Sequence, residues 1–526
     1  MAETDVLIVG AGPTGLVLAL WLVRQGLGVR IIDKRSGPGE TSRAMAVQAR
    51  TLELYSQLDI AESAVEEGYK TPAVNLWSRG KHRARIPLVN AGEAITRYPY
   101  VLVYPQDRHE RLLIERLRSL GVEVTRATEL LSFHESADGV TSLLRGADGV
   151  ETTFHSTYLA GCDGASSTVR HQIGASFEGG TYEQLFYVAD VLARGAEPCT
   201  EASLAFDQAE FVMVMPYGEA NQYRVIGIVR TERPDQPEPI TFENVGHKAL
   251  RGLGIEIEEV NWFSTYRVHH RITDQFRHGR IFLLGDAAHV HSPAGGQGMN
   301  TGIQDAINLA WKLVAVVRRH AADSLLDSYH LERQAFAQTL VETTDRLFTF
   351  ATTEGRFADF VRTWIAPLFA SAAYKKATVR EYMFRLVSQT TLSYRGSTLS
   401  EGKAGEVHGG DRLPWVPALG MDNYQPLSSI GWQVHIYGTA LPELQAWCDA
   451  REVALHVFPW MPEHERAGLA RNAAYLLRPD TYVALADMQG SPQVIDQYFH
   501  DHGFSLPVRE HLLSASATTA EHHDTN

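Results

Sequence analysis

The chain is poor in cysteine, in basic charge and in long apolar runs. Its three cysteines, Cys162, Cys199 and Cys448, are odd in number and widely spaced in 526 residues. They exclude a disulfide framework and a cysteine-rich zinc site, and they suit a reducing compartment, so a cytoplasmic location is expected. Lys and Arg number 48 against 62 Asp and Glu, a net charge of −14 with a sequence pI near 5.9. That balance argues against a nucleic-acid partner held by a broad basic face. The 18 uncharged residues from Val6 to Val23 contain Gly10, Gly12, Pro13 and Gly15, with no basic flank before them and no small-residue cleavage pattern. Neither a membrane helix nor a signal peptide fits, so no membrane association is expected. What remains, 44% hydrophobic and 21% charged residues, is an ordinary globular composition. At about 150 residues per domain the length suggests three or four structural units.

The same uncharged stretch reads well as strand, turn and helix. Val6-Leu7-Ile8-Val9 is the apolar run a fully buried parallel strand needs. It runs into Gly10-Ala11-Gly12-Pro13-Thr14-Gly15, then an apolar helix stopping near Gly26, then a second strand, Val29 to Ile32, ending in Asp33. In such a unit the first glycine permits the tight turn, the second admits a pyrophosphate to the backbone, and the third lets helix and strand pack closely. The helix N-terminus offers N–H groups and partial positive charge to phosphates, and Asp33 is placed to accept hydrogen bonds from a ribose. Lys34 and Arg35 favour a 2′-phosphate or are solvated surface charges.

Two later segments repeat the theme. Tyr158-Leu159-Ala160-Gly161-Cys162-Asp163-Gly164 is an apolar run ending in Asp-Gly, after which Ser166 or Ser167 caps a short helix carrying Arg170. Ile281 to Leu284 ends in Gly285-Asp286, and a glycine-rich loop then opens a long helix with Ile303, Ile307, Ala310, Val314 and Val317 on one face. Its first amides point into the loop, where they suit the electron-rich edge of a reduced flavin.

These three ordered motifs resemble those of the single-component FAD-dependent aromatic hydroxylases built on the p-hydroxybenzoate hydroxylase fold, in particular the phenol and polyketide hydroxylase branch with an added thioredoxin-like C-terminal domain. The resemblance covers residues 1 to about 345 and extends more weakly beyond. It implies an α/β protein: a Rossmann-type FAD-binding domain, an inserted antiparallel β-sheet substrate domain and a C-terminal thioredoxin-like domain. It also implies FAD as cofactor, with NADPH or NADH as reductant and O2 as co-substrate. Gly10, Gly12, Pro13, Thr14 and Gly15 would then lie along the pyrophosphate, and Asp33 with Lys34 at the ribose. Asp163 and Gly164 would serve both FAD and NAD(P)H, and Gly285 and Asp286 the ribityl chain. Pro293 would sit beside the flavin ring, with Gly296, Gln297, Gly298, Met299 and Asn300 at its pyrimidine end. Arg43 and Gln106 match two further FAD-contacting positions, and Arg43 and Pro293 are the candidate catalytic residues. The implied reaction is hydroxylation of a phenolic or polycyclic aromatic substrate through a C4a-hydroperoxyflavin. Alternatives on the same fold are Baeyer-Villiger oxidation, epoxidation, oxidative dehalogenation, or flavin binding without turnover. Arg478-Pro479-Asp480 resembles a family signature, with Thr481 where glycine is more common.

Other chemistries have weaker footing. Asp286, His289 and His291 do not share a helix face, so no metal site is expected. No G-x-S-x-G elbow anchors a hydrolase triad. His269-His270-Arg271 reads equally as a solvated strand end or as pocket residues. The expected division is a FAD-binding domain over 1–178 with a small insertion near 76–100, a β-sheet substrate domain over 179–270 with Tyr217 and Tyr223 as candidate pocket residues, and a return to the FAD-binding domain with helices over 271–395. A thioredoxin-like domain over 396–512 follows, opened by a Gly/Pro linker near 402–417, and then a disordered tail over 513–526. Without a Cys-x-x-Cys the C-terminal domain is expected to be structural or interfacial. Its surfaces suggest a homodimer.

Overall fold

The computed structural model describes residues 3–39, 44–88, 92–195, 201–207, 210–217, 221–229, 240–245, 248–291, 296–352, 377–418 and 420–507. Three sheets organise it. The first is built around the strand Thr4–Val9, which pairs in parallel with Val29–Ile32 on one side and with Glu151–Gly161 on the other. Ile281–Leu283 continues the parallel order beyond Glu151–Gly161, and Val124–Thr125 extends the opposite edge. A strand covered on both faces needs an unbroken apolar run, and Val6, Leu7 and Ile8 are accordingly fully buried. The helix Pro13–Arg24 starts with proline where a missing N–H costs nothing. It packs on the helices Gly298–Val317 and Gln106–Ser119, burying Leu16 to Leu22 all round.

The second sheet has eight strands, ordered His289–Val290, Ile255–Ile272, Glu178–Gly195, Gln222–Val229, Glu210–Pro216, Ala202–Asp207, Ala73–Ser78 and Lys81–Pro87. The hairpin at 73–87 therefore belongs to the same sheet as the strands after residue 178. Opposite faces of this sheet differ. Tyr187, Val191, Val212, Val214 and Val225 pack into one apolar cluster with Phe242, Leu250 and Leu253 of the covering turn and short helix. The alternate residues Met213, Met215, Tyr217 and Ile226 are only half-buried.

The third sheet runs Val407–His408, Glu401–Ala404, Val483–Asp487, Ala474–Leu477, Gln433–Tyr437, Ala454–Phe458. Gln433–Tyr437 pairs in parallel with Ala454–Phe458 across the helix Pro442–Arg451, and antiparallel with Ala474–Leu477, which pairs antiparallel with Val483–Asp487. A parallel pair joined through a helix, then two antiparallel strands, is a strand order compatible with a thioredoxin-like unit. Its lone Cys448 is buried, which pushes the thiol up to about 12. The glycine-rich stretch expected to be a linker is instead part of this sheet. Gly402 pairs with Ala486 at φ +73°, where a Cβ would collide with the Ala486 carbonyl. There the glycines serve close strand approach, not chain flexibility.

The C-terminal unit docks on the nucleotide unit through buried charge. Arg478 binds Glu332 at 2.7 and 3.0 Å and Asp480 at 2.6 and 3.0 Å. Glu332 also receives Lys312 at 2.9 Å and Asn308 at 2.7 Å, and burial pushes the Lys312 ammonium down to about 8. Beside this network Arg50 donates to Thr481 Oγ1 at 2.8 Å and to the Asp480 carbonyl at 3.1 Å. Arg412 grips Glu53 at 2.5 and 2.9 Å. Thr481 holds φ +69°, which explains the family's preference for glycine there. In this chain the strained threonine adds a hydroxyl acceptor for a buried guanidinium. Among the described residues no helix is long and apolar enough to cross a membrane.

Candidate cofactor cradle

Gly10 leaves the first strand at φ +105°, and its amide donates to the Ile32 carbonyl at 2.8 Å. A Cβ on Gly10 would collide with the Cys162 carbonyl, and one on Gly15 with the Gly10 carbonyl. These two glycines are thus required by the fold itself. Gly12 differs: nothing lies within 4 Å of where its Cβ would stand. Open space at the N-terminus of a helix, with Pro13 at its first position, is the arrangement a pyrophosphate needs.

Asp33 follows the second strand and is buried. Its Oδ2 accepts the Ala11 amide at 2.9 Å and its Oδ1 the Arg35 amide at 2.8 Å. Burial alone would raise its pKa, but the two amides and the Arg35 guanidinium outweigh burial and hold the carboxyl below its usual value. Asp33 therefore fastens the glycine turn to the second strand as well as standing at its mouth. Lys34 beside it is exposed.

The second motif lies against the first. Gly161 ends its strand opposite Val9, and the Cys162 amide donates to the Val9 carbonyl at 2.8 Å. Asp163 Oδ2 accepts the Val169 amide at 3.2 Å, while its Oδ1 is buried with no hydrogen-bond partner among the described residues. A buried carboxylate oxygen left without a donor marks a place for one from a ligand or water. Gly164, at φ +82°, has nothing within 4 Å of its Cβ position. Ser167 caps the short helix Thr168–Gln172 by accepting the Arg170 amide at 3.0 Å. Arg170 then reaches the third motif, donating to the Ala287 carbonyl at 2.9 Å.

The third motif closes the cradle. Gly285 holds φ +57°, and Cβ atoms on Gly285 or Gly302 would run into the Thr14 side chain. Asp286 is exposed at the turn between buried Gly285 and Ala287. Gly296 packs on Ala46, and the helix Gly298–Val317 begins two residues later. The first amides of such a helix have no acceptor within it, so those of Gly298, Met299 and Asn300 face the loop end. The Asn300 side chain is fully engaged in holding the loop: it donates to Ala46 O at 2.8 Å and Gly296 O at 3.0 Å, and accepts from the Gln48 amide at 2.9 Å and Thr51 Oγ1 at 2.8 Å. Gln297 is buried at the helix start. Gln106 begins its own helix, donating through Nε2 to Glu110 at 2.8 Å, and Glu110 accepts the Gly39 amide at 3.1 Å. Arg43 and Pro293 lie outside the described residues.

Sequence reasoning missed the support beneath this loop. Asp305, fully buried in the long helix, accepts the Gly285 amide at 3.0 Å, lies 2.7 Å from His289 Nε2 and accepts Arg333 Nε at 2.6 Å. Burial would raise its pKa, but Arg333 and His289 outweigh that and keep the carboxyl below its usual value. His289 is thus committed to Asp305 and stacks on Phe276. The one signal was a carboxylate within a largely apolar helix, and it reads at first as a solvent face. The two candidate pocket tyrosines separate. Tyr217 lies on the half-open face of the second sheet, whereas Tyr223 is buried in the cluster beneath Phe242 and Leu250. Alternate strand residues point to opposite faces, so Tyr223 is a core residue and not a pocket residue.

Backbone approach, a helix N-terminus, an orphaned carboxylate oxygen and glycine-lined open space together define a dinucleotide-binding flavoprotein cradle, and these residues fit FAD. The chain belongs to the FAD binding domain family of flavoprotein monooxygenases, with the family match spanning residues 3–344. It is 40% identical over 342 residues to 6-methylpretetramide 4-monooxygenase of Streptomyces rimosus, an alignment covering 65% of this chain and 61% of that protein. It is 31% identical over 505 residues to a flavin-dependent monooxygenase of Mycobacteroides abscessus, covering 92% of this chain and 97% of the relative. The solved structure of the anhydrotetracycline hydroxylase from Streptomyces rimosus matches with a TM-score of 0.76 at 27% identity, over 96% of this chain and 100% of that one.

Proposed function

We propose that this protein uses FAD, NADPH or NADH, and O2 to hydroxylate a phenolic or polycyclic aromatic substrate. The observation that carries the reading is convergence: Gly10 is packed on the Cys162 backbone, and Gly285 and Gly302 on Thr14, so three distant segments meet at the glycine turn. Bound FAD supplies the electron transfer and oxygen activation. The chain's own part is to bind, orient and exclude water. Gly10, Gly12, Pro13, Thr14 and Gly15 would take the pyrophosphate, Asp33 and Lys34 the ribose, and Gly285 and Asp286 the ribityl chain, while Asp163 and Gly164 would serve both FAD and NAD(P)H and Gln106 would contact FAD. The amides of Gly296, Gln297, Gly298, Met299 and Asn300 would hold the pyrimidine end of its ring. Arg43 and Pro293 stand as candidates beside it.

The half-buried apolar residues on the open face of the second sheet suit a flat, multi-ring substrate, and the relatives named for 6-methylpretetramide and anhydrotetracycline support that choice. A cytoplasmic setting suits the free thiols of Cys162 and Cys448. A homodimer formed through the C-terminal unit suits its exposed Leu441, Val457, Met488 and Val494, and light scattering tests it. The activity is tested by NAD(P)H oxidation against a panel of aromatic compounds. Stimulation by a phenol with a hydroxylated product is expected, while FAD bound with no stimulation by any of them favours flavin binding without turnover. Asp286→Ala is expected to lose FAD, and stoichiometric FAD in that variant refutes the role given to this turn.

A further inference from the structure

The open face of the second sheet carries one buried ion pair. Arg224 is 1% exposed and meets Asp190 with two hydrogen bonds, Nε to Oδ1 at 2.7 Å and Nη2 to Oδ2 at 2.6 Å. The two residues are opposite one another in register, on neighbouring strands. Tyr217 and Trp262 flank the guanidinium, with ring centroids 5.7 and 5.8 Å from it. The Tyr217 phenol lies within electrostatic reach of Asp190. Burial and then the Asp190 charge push it up to about 12, so at neutral pH it remains a donor.

Two further features point to a ligand. An ion pair buried against apolar neighbours is often no better for stability than hydrophobic residues of similar volume. Here the pair lies on the half-open face, opposite the face whose apolar cluster packs beneath Phe242 and Leu250. Also, the Asp190 side chain keeps 16% exposure although its partner keeps almost none. Asp190 is therefore not sealed from the half-open face, and its carboxylate is aimed by the planar fork of Arg224.

Resting on the reading of this protein as an aromatic hydroxylase, we propose that Asp190, held by Arg224 beside the Tyr217 ring, is the polar anchor for a phenolic or enolic hydroxyl of the substrate. The hydroxyl donates its hydrogen bond to the Asp190 carboxylate, which draws charge onto the ring oxygen and fixes which edge of the ring system enters. A substrate bearing an ether at that position has no proton to donate and leaves the carboxylate unsatisfied.

The test titrates the FAD-loaded protein, through the change in flavin absorbance, with a hydroxyanthraquinone whose hydroxyl is remote from the quinone oxygens and with its methyl ether. Wild type, Asp190→Asn and Tyr217→Phe are compared. The wild type is expected to prefer the free phenol by about 20-fold, as for a hydrogen bond to a charged acceptor, and Asp190→Asn by less than about threefold. Tyr217→Phe should fall between them, and it carries the test alone if Asp190→Asn does not retain FAD. A purely structural ion pair would weaken both probes alike. Undiminished preference in FAD-loaded Asp190→Asn overturns the anchor, or in Tyr217→Phe where that variant alone retains FAD. So does a wild type that binds the probes equally or binds neither. Failure of the hydroxylase reading looks different: the phenol is preferred, yet no aromatic compound stimulates NAD(P)H oxidation.

Discussion

The two rims of the cradle are made in different ways. The first, Gly10 to Gly15, is fixed by backbone: glycines approach carbonyls that no side chain would tolerate, and one carboxylate, Asp33, ties the turn to the next strand. The second, Gly285 to Asn300, is fixed by buried polar side chains. Asp305 holds the Gly285 amide, Arg333 and His289 hold Asp305, and Asn300 clamps the loop to residues 46 to 51. A rim of the first kind is rigid by sterics, whereas one of the second kind depends on charge and therefore on pH. The contrast teaches that one ligand can be gripped by a wall that sequence spacing specifies and by another that only tertiary contact specifies.

The largest effect that would sharpen this contrast is expected at Gly15. Gly15→Ala forces its Cβ into the Gly10 carbonyl, and the purified protein should hold under about a tenth of its FAD, since the turn cannot close. Next comes Asp305→Asn, which leaves Arg333 and His289 buried beside a neutral amide. Removing one partner of such a group costs about 3–5 kcal/mol, read as a fall in Tm. The pH dependence follows from the lowered Asp305 pKa. A carboxyl depressed in the folded state contributes stability that is present above its unfolded pKa of about 4 and lost as pH falls through the folded value. Acid unfolding below about pH 4 should therefore be shallower in Asp305→Asn than in wild type. An equal slope would show that the second rim is not held by charge.

Gly12→Ala offers a cleaner division of sterics from ligand. With nothing within 4 Å, the apoprotein should keep its Tm while FAD affinity falls about tenfold or more, because only the pyrophosphate needs that space. Loss of Tm instead would make Gly12 a folding residue like its neighbours. The smallest effect is expected at Thr481. Thr481→Ala keeps the left-handed strain and removes an acceptor for Arg50, costing about 1–2 kcal/mol in chemical denaturation. Thr481→Gly relieves the strain and should cost less, within about 1 kcal/mol of wild type.

Legibility in the sequence followed the same division. The first rim was readable because its constraints are local: glycines at fixed spacing between an apolar strand and an apolar helix. The same held for the Ser167 cap. The long strands Glu178–Gly195 and Ile255–Ile272 were not readable. Their pairing shifts register near Thr181, Asp190 and Leu192, and each shift breaks the period-two alternation that would announce a strand. Tyr223 was misplaced by the same parity, since a single step along a strand changes the face. Asp305, Lys312 and Glu332 were missed because a charge on a helix suggests solvent until its partner, 20 to 28 residues away, is known. The glycines at 402 and 405 were read as flexibility, yet they stand where neighbouring backbone lies too close for a Cβ.

The central position of the strand Thr4–Val9 has a consequence for biogenesis. Its neighbours come from residues 29–32 and 156–161, and the latter in turn need 281–283. During synthesis the first rim therefore emerges long before the two walls that complete it, and the Arg50 contact to Thr481 waits for 431 more residues. Pairing over such separations is slow to form. The nascent chain must keep its most apolar segment from aggregating until the helix Gly298–Val317 that covers it has left the ribosome, and release of a product shorter than that should yield insoluble protein, not a smaller working enzyme.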